Sequence, residues 1–248
     1  MRISLQILLI SLPLILFSQY GIFAGGNLVD ISTQDKAILR SVSPAEASFR
    51  IRVGNSVGTC VGIHKRLAVT NAHVVGHHLA TNVIITHTLS HQTFKGDVVA
   101  CDSSADVAII LIHKNEKSLP YVMICPDLTI NQQVSMYGYG SDNILKHGSG
   151  KVLSSSGYTS SSTHQIPVIE SSIRSVAGDS GSGIFNTSGQ LVALNWGSAP
   201  PKRSSVSVSA FYVLETAQAF INHEYPEVEQ TEGKGAARDE FRILLENQ

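Results

Sequence analysis

The sequence is short of charge and of cysteine. Only 15% of its 248 residues are Asp, Glu, Lys or Arg, and the formal net charge is −1. Proteins that bind nucleic acid or an anionic membrane usually carry a basic surplus, so this composition argues against both partners. The three cysteines contain no C-x-x-C pair, which argues against a cysteine zinc site. Their odd number leaves at least one thiol unpaired in a monomer, and any one of three disulfides stays open.

The N-terminus carries a short apolar run. Residues 5–17 are mostly apolar and follow Met1-Arg2, and small residues end the segment near Ala24. The run is too short and too early for a typical membrane span, so residues 1–24 are predicted to be a secretory signal peptide. A retained N-terminal anchor is the alternative. We therefore expect a secreted or periplasmic protein with no stable membrane insertion once the signal is removed.

Short strands dominate the chain beyond the predicted signal. Residues 25–48 lack periodicity and are interpreted as a linker or pro-segment. Apolar and polar residues then alternate in short runs separated by turn residues, a spacing typical of an all-β barrel or sandwich. Twelve strands are predicted in two sets of about six: 49–53, 57–63, 67–70, 82–86, 94–101 and 107–112, then 133–139, 150–155, 165–170, 183–186, 191–196 and 205–211.

The two sets divide the chain. Residues 49–119 are predicted to form an N-terminal unit and residues 120–225 a C-terminal one. A helical period at residues 213–225 predicts a helix at the end of the second unit. Residues 226–248 are dense in charge and are predicted to be a solvated tail, with room for a short helix at 241–245.

A serine framed by glycines is the first candidate for chemistry. In G-D-S-G-S-G at residues 178–183, glycine precedes and follows Ser180 closely, and glycine permits a tight turn with exposed N–H groups. The motif differs from the G-x-S-x-G elbow of α/β hydrolases, because Ser182 stands where that motif needs glycine. A Gly/Ser-rich surface loop is the alternative interpretation.

A serine nucleophile needs a base, and a histidine base needs an acceptor for its second nitrogen. His73 ends the predicted strand 67–70 among small residues, although a histidine there can equally be a satisfied core residue. The zinc motif H-E-x-x-H fails at this histidine because Val74 replaces the glutamate. Asp106 stands directly before the apolar strand 107–112, where an unpaired carboxylate is costly. A turn-capping aspartate is its alternative role.

Together these segments resemble a known family. T-N-A-H at 70–73, D-V-A at 106–108 and G-D-S-G at 178–181 occur in the order of the chymotrypsin/trypsin-like serine proteases, with spacings similar to the compact bacterial members. The resemblance covers about residues 50–225. It implies two six-stranded antiparallel β-barrels with the site in the cleft between them, so residues 49–119 and 120–225 would each form one barrel.

The resemblance also implies a mechanism. His73 and Asp106 would come from the first barrel and Ser180 from the second, forming a triad that hydrolyses peptide bonds through an acyl-enzyme. The N–H groups of Gly178 and Ser180 would form the oxyanion hole, and neither a metal nor an organic cofactor is needed. The partner would be a protein or peptide substrate. Two alternatives stay open: a catalytically silent homologue that binds a peptide or protein in the same cleft, and an esterase or acyltransferase.

Substrate contacts are also carried over from the family. Arg174, six residues before the nucleophile, matches the base of the primary pocket and would favour Asp or Glu there, because a guanidinium pairs with a carboxylate. The alternative is an Arg174 exposed to solvent. Asn195, Trp196 and Gly197 match the strand that holds the substrate backbone, and Ala210 is expected to line the pocket. The usual partner for the charge of the neighbouring Asp179 is not visible in the sequence.

Overall fold

The computed structural model describes residues 42–76, 82–158, 167–200, 203–222 and 234–247. The predicted signal peptide and residues 25–41 of the predicted linker lie outside these ranges. Residues 42–47 already pack on the folded part, since Ala47 is fully buried and its carbonyl accepts a hydrogen bond from the Gly62 N–H. The linker therefore ends before residue 48, where the prediction had placed its boundary.

The first six strands close into an antiparallel barrel. Their order around the barrel is β1-β2-β3-β6-β5-β4. Side chains alternate along the strands, so that one face from all six fills the interior, including Phe49, Ile51 and Phe94. The strands are β1 Ser48–Val53, β2 Ser56–His64, β3 Leu67–Thr70, β4 Asn82–His87, β5 Gln92–Asp102 and β6 Val107–Ile112.

The second six strands close into another antiparallel barrel, in the order β10-β11-β12-β9-β8-β7. Its interior is a separate apolar cluster that includes Val134, Ile173 and Ile184. The predicted fold of two six-stranded barrels is confirmed. The strands are β7 Gln133–Gly138, β8 Lys146–Tyr158, β9 Pro167–Arg174, β10 Gly183–Phe185, β11 Leu191–Ala199 and β12 Ser204–Ser209.

A third apolar cluster joins the barrels. It combines Val69 and Ile109 of the first barrel with Phe185 and Leu194 of the second. The strand β6 shows why the sequence there is apolar without alternation: Ala108, Ile110 and Ile112 face the barrel interior, whereas Val107, Ile109 and Leu111 face this shared cluster. Both faces of the strand are buried, so both must be apolar.

Two helices complete the shared cluster. Helix α1, Phe211–Ile221, packs Val213, Ala217 and Phe220 onto it, and begins two residues before the predicted start. The predicted charged tail contains helix α2, Lys234–Glu246, which is longer than the short helix expected at 241–245 and is not wholly solvated. Phe241 and Leu244 of α2 are buried in the cluster, which is the reason that this charged segment is ordered. Within the described ranges, neither helix has the length and apolar character needed to cross a membrane.

Candidate active site

Strand pairing brings two of the predicted site residues together. Thr70 at the end of β3 pairs with Ala108 of β6, two residues after Asp106. The chain then turns through a 3-10 helix, Ala72–Val75, which Gly76 closes with a left-handed φ of +72°. His73 therefore lies on this helix directly beside the turn that carries Asp106.

His73 and Asp106 make two hydrogen bonds. The His73 backbone N–H donates to Asp106 Oδ1 at 2.8 Å, and His73 Nδ1 lies 2.7 Å from Asp106 Oδ2. The Asp106 side chain is 9% exposed and the His73 side chain 38% exposed. A carboxylate accepts hydrogen bonds, so the geometry assigns the proton to Nδ1. In the neutral imidazole this tautomer leaves Nε2 as the acceptor that a general base requires.

Asp106 has an unusual backbone. Its φ is +55°, a left-handed conformation that is sterically costly for a residue with a Cβ. The Asp106 carbonyl accepts hydrogen bonds from the Ala72 N–H and from the Asn71 Nδ2, both at 3.1 Å. These contacts hold the strained residue in place, and such strain occurs mainly where the surrounding structure over-determines it, often at functional sites.

The loop that carries Ser180 is built from two tight turns. The Asp179 N–H donates to the Val176 carbonyl at 3.1 Å, and Gly178 has a φ of +93°, which together are typical of a type II turn. Gly181 has a φ of +79°, and Ser180 between them is half-buried. Among bonds between described residues, the N–H groups of Gly178 and Ser180 donate to no acceptor. Both donors are therefore available to an external oxygen.

Asp179 binds two backbone amides. Its Oδ1 accepts from the Gly140 N–H at 3.0 Å and its Oδ2 from the Val176 N–H at 2.9 Å. Burial raises the pKa of the Asp179 carboxyl, and the two amides and Lys146 offset part of that rise by favouring the charged form. The Gly140 and Val176 amides thus bind the Asp179 carboxylate, for which the sequence shows no charged partner.

The serine loop packs directly on the first barrel. The Thr59 N–H donates to the Ser180 carbonyl at 2.8 Å. A Cβ on Gly58 would lie 2.9 Å from Val74 Cγ1 and 3.0 Å from the Ser180 carbonyl oxygen. Val74 follows the candidate base His73 in the chain. Gly58 therefore lies against both the Ser180 backbone and the residue after His73. The structure thus brings His73, Asp106 and Ser180 into one region between the barrels.

Sequence comparison identifies this arrangement. A profile described as "Trypsin-like peptidase domain" matches residues 58–194, which is more than half of the chain and includes His73, Asp106 and Ser180. The chain belongs to the trypsin-like peptidase family. No curated protein matches its sequence.

Solved structures of two proteases have a similar fold. The active form of the Rv3671c protease from M. tuberculosis aligns with 71% of this chain and 81% of its own, at 21% identity and a TM-score of 0.61. The HtrA-type protease AlgW, solved with a tripeptide, aligns with 73% of this chain at 18% identity and a TM-score of 0.63. This chain spans 62% of AlgW. At these identities the likeness concerns the fold alone.

Two of the predicted substrate contacts of this trypsin-like peptidase are buried. Asn195 is fully buried: its Nδ2 donates to Ser175 Oγ and to the Asp179 carbonyl, and its Oδ1 accepts from Ser205 Oγ. Its side chain therefore supports the serine loop from within the second barrel. Ala210 is also fully buried, in the cluster shared with α1, and has no surface left for a ligand.

The other predicted contacts keep exposed surface. Trp196 is partly buried at a bulge of β11, and a Cβ on Gly197 would meet open space. Among the described strands, pairing of β10 with β11 ends at Leu194, so residues 197–199 pair with β12 and with no other strand. Arg174, at the end of β9, is exposed and forms no ion pair with a described residue.

Two of the three cysteines are poorly suited to act as a nucleophile. All three cysteines, which the sequence allowed to pair, are free thiols. Burial raises the pKa of Cys60, and raises that of Cys101 to about 11, so neither is a thiolate at neutral pH. Among the described residues, no three histidine, cysteine, aspartate or glutamate side chains gather as metal ligands would.

Sequence reasoning missed two polar residues at the site, Thr59 and Asn71. Both belong to the first barrel and bind the serine loop of the second. Asn71 had a visible signal, because it is an amide side chain in an otherwise apolar strand end next to the candidate base. Thr59 had none, since a threonine is ordinary in a β-strand.

Proposed function

We propose that this chain is an exported serine endopeptidase in which Ser180 is the nucleophile, His73 the general base and Asp106 the residue that orients the base. The contact between His73 and Asp106 carries the proposal. One nearly buried carboxylate holds both the backbone N–H and Nδ1 of a partly exposed histidine. A histidine that served only as a core residue would not present so much of its ring to solvent.

The proposed reaction begins with a proton transfer. Serine is a weak nucleophile at neutral pH, so His73 Nε2 accepts the Ser180 hydroxyl proton as Oγ attacks the scissile carbonyl. The imidazolium that forms is stabilised by the Asp106 carboxylate and then gives its proton to the leaving amine. Water, deprotonated by the same Nε2, hydrolyses the acyl-enzyme and releases Ser180 with its proton restored.

The two unused N–H groups of the serine loop support an oxyanion hole. Gly178 and Ser180 have no acceptor among the described residues, and donors of this kind stabilise the negative oxygen of a tetrahedral intermediate. Removing one such donor in other hydrolases costs about 2.7–4 kcal/mol of transition-state stabilisation. The positive φ of Gly178 keeps the turn open to this role, since a side chain there would disfavour it.

The open edge of β11 supports a peptide substrate. Extended peptides can bind by adding a strand to an exposed sheet edge. At the end of β11, residues 197–199 have no partner among the described strands on the side away from β12. The structure of AlgW with a tripeptide is consistent with peptide binding in this fold. Trp196 and Gly197 are the proposed contacts.

Arg174 is the proposed determinant of side-chain preference. Its exposed guanidinium would favour Asp or Glu at the cut site. The check is a peptide library digested by the wild type and by Arg174→Ala. A profile without enrichment of acidic residues in the wild type, or unchanged by the substitution, rules out this role for Arg174.

The central experiment is covalent labelling of Ser180. The processed protein is treated with a serine-directed phosphonate, and the modified residue is located by mass spectrometry. We expect an adduct on Ser180, and a loss of at least about 10³-fold in casein turnover in Ser180→Ala. The exposed serine variant Ser188→Ala, in the turn between β10 and β11, is the matched control and should keep full turnover.

The alternatives give different results. A silent homologue forms no adduct and shows no difference between Ser180→Ala and the wild type. An esterase forms the adduct and hydrolyses small esters but never casein. Sequencing the N-terminus of protein recovered outside the cytoplasm tests export, and an intact Met1 on that protein contradicts removal of residues 1–24.

A further inference from the structure

One buried amide bridges the two halves of the candidate site. Asn71 is fully buried, and its side-chain amide both donates and accepts a hydrogen bond. Its Nδ2 donates to the Asp106 carbonyl at 3.1 Å, and its Oδ1 accepts from the Gly181 N–H at 2.7 Å. Asp106 holds the candidate base in the first barrel, and Gly181 follows the candidate nucleophile in the second. The Asn71 side chain therefore connects the acid and the serine loop directly.

Only a side chain with both a donor and an acceptor can make this bridge. The Asn71 amide supplies an N–H to a carbonyl and an oxygen to an N–H, which neither aspartate nor an apolar residue of the same size can do. Its neighbour Thr70 is bound within the first barrel, since Thr70 Oγ1 donates to the Thr59 carbonyl at 2.7 Å. The end of β3 is thus a polar segment with partners in both barrels.

Thr59 provides a second attachment for the same loop. Besides the bond from its N–H to the Ser180 carbonyl, its Oγ1 donates to the Gly178 carbonyl at 3.3 Å and accepts from the Tyr139 N–H at 3.1 Å. The serine loop is therefore fixed to the first barrel at three positions: Gly178 and Ser180 through Thr59, and Gly181 through Asn71.

We propose that Asn71, assisted by Thr59, is a positioning residue that sets Ser180 against the His73–Asp106 pair. The inference rests on the proposed function, because it requires that Ser180 and His73 react together. The physical reason is proximity: a displacement of about 1 Å between reacting groups can cost about 100-fold in rate. Asn71 is buried and touches no substrate, so its loss changes the rate of the bound complex and leaves substrate binding intact.

The test is Asn71→Ala, with kcat expressed per active site titrated by the phosphonate. We expect kcat to fall about 100-fold while KM changes less than about threefold. The fold itself tolerates the substitution, because the Gly181 N–H also donates to the Asn195 carbonyl at 2.9 Å and the Asp106 carbonyl keeps the Ala72 N–H. The thermal unfolding midpoint and circular dichroism are measured on the same samples.

Two further variants separate positioning from general destabilisation. Thr59→Val keeps the backbone bond to Ser180 but loses both hydroxyl bonds, to the Gly178 carbonyl and from the Tyr139 N–H, and should lower kcat by about 10-fold. It also provides the readout if Asn71→Ala does not fold. Asn186→Ala is the matched control. Asn186 makes three side-chain hydrogen bonds within the turn between β10 and β11, so its loss affects stability without touching the bridge and should leave kcat unchanged.

The outcomes distinguish this inference from the proposed function. A wild type without Ser180-dependent turnover contradicts the proposed function. With an active wild type, Asn71→Ala and Thr59→Val at full kcat per titrated site overturn the positioning role. A raised KM at unchanged kcat overturns it as well, because that pattern belongs to a residue that binds substrate.

Discussion

Asp179 is held by its own turn. Its backbone N–H donates to the Val176 carbonyl while its Oδ2 accepts from the Val176 N–H, so the two residues bind each other in both directions. The Gly140 N–H completes the set at Oδ1. Three backbone contacts thus fix the turn at Gly178 without a charged side chain, and the conformation of the candidate oxyanion donors depends on this carboxyl group.

The raised pKa of Asp179 predicts a pH-dependent contribution to stability. A carboxyl whose pKa is higher in the folded state than in the unfolded state stabilises the fold most at low pH, below about 4, and less as the pH rises through the folded-state pKa. Asparagine does not titrate. The free energy of unfolding of the wild type relative to Asp179→Asn should therefore decrease as the pH rises, as measured by urea unfolding from about pH 4 to about pH 7. A difference that grows with pH contradicts this prediction.

Ser182 carries a buried hydroxyl without a partner. The residue is fully buried, and its Oγ makes no hydrogen bond with any described residue. An unsatisfied buried polar group costs about 1–3 kcal/mol, so Ser182→Ala should raise the free energy of unfolding by about 1 kcal/mol. Ser205→Ala is the matched control: Ser205 is equally buried but donates to Asn195 Oδ1 at 2.6 Å, and its loss should destabilise. Denaturant unfolding of both variants measures whether each substitution raises or lowers the free energy of unfolding.

Helix α2 shows how a charged segment becomes part of a core. Two of its apolar side chains, Phe241 and Leu244, face the shared cluster, and the centre of the Phe241 ring lies 4.8 Å from that of Phe220 in α1. Glu240 is also largely buried, and its carboxylate lies 2.6 Å from His64 Nδ1 and 3.5 Å from Arg66 Nη1. The guanidinium of Arg66 offsets part of the cost of burying this carboxylate.

The packing of α2 predicts unequal effects along one helix. Phe241→Ala should lower the free energy of unfolding by about 3–5 kcal/mol, because it leaves a cavity between α1, α2 and the barrels. Ile243→Ala, on the same helix but 37% exposed, should change it by about 0.5–1 kcal/mol. Thermal or denaturant unfolding measures both. Equal effects mean that α2 does not pack on the barrels in solution.

The two barrels approach each other very closely at Gly181. A Cβ there would lie 2.1 Å from the Thr59 carbonyl oxygen and 2.2 Å from Thr70 Oγ1, so the first barrel leaves no space for a side chain. Barrel interiors tolerate small changes by local repacking, whereas a backbone carbonyl at this distance can only move with its strand. The absence of a side chain at Gly181 therefore helps to set the distance between the barrels, and with it the geometry of the candidate site.

Gly181→Ala should separate the barrels. We expect turnover to fall at least about 100-fold, together with a loss of more than about 2 kcal/mol in the free energy of unfolding. Gly54→Ala is the control, because Gly54 has a similarly left-handed φ of +55° but no atom within 4 Å of its missing Cβ. It should cost about 1–2 kcal/mol from backbone strain and leave turnover unchanged. Equal loss of turnover in both variants rules out the steric explanation.

Much of the architecture follows from neighbours along the chain. Short runs of alternating or continuous apolar residues, bounded by turn residues, predicted all twelve strands. The order of His73, Asp106 and Ser180, each beside a strand end or glycine turn, indicated the family and the candidate site. The apolar run at 107–112 does not alternate because both faces of β6 are buried.

Contacts between distant residues could not be predicted in this way. Asn71 and Gly181 are 110 positions apart and meet only because one barrel packs against the other. The same packing buries Ala210 and draws α2 out of solvent, whereas contacts within the second barrel bury Asn195 and supply backbone amides to Asp179. Local pattern reports which face of a strand is apolar, but it carries no information on which atoms of the second barrel reach that face. Closure of the two barrels determines those partners, and therefore which polar residues hold the site together.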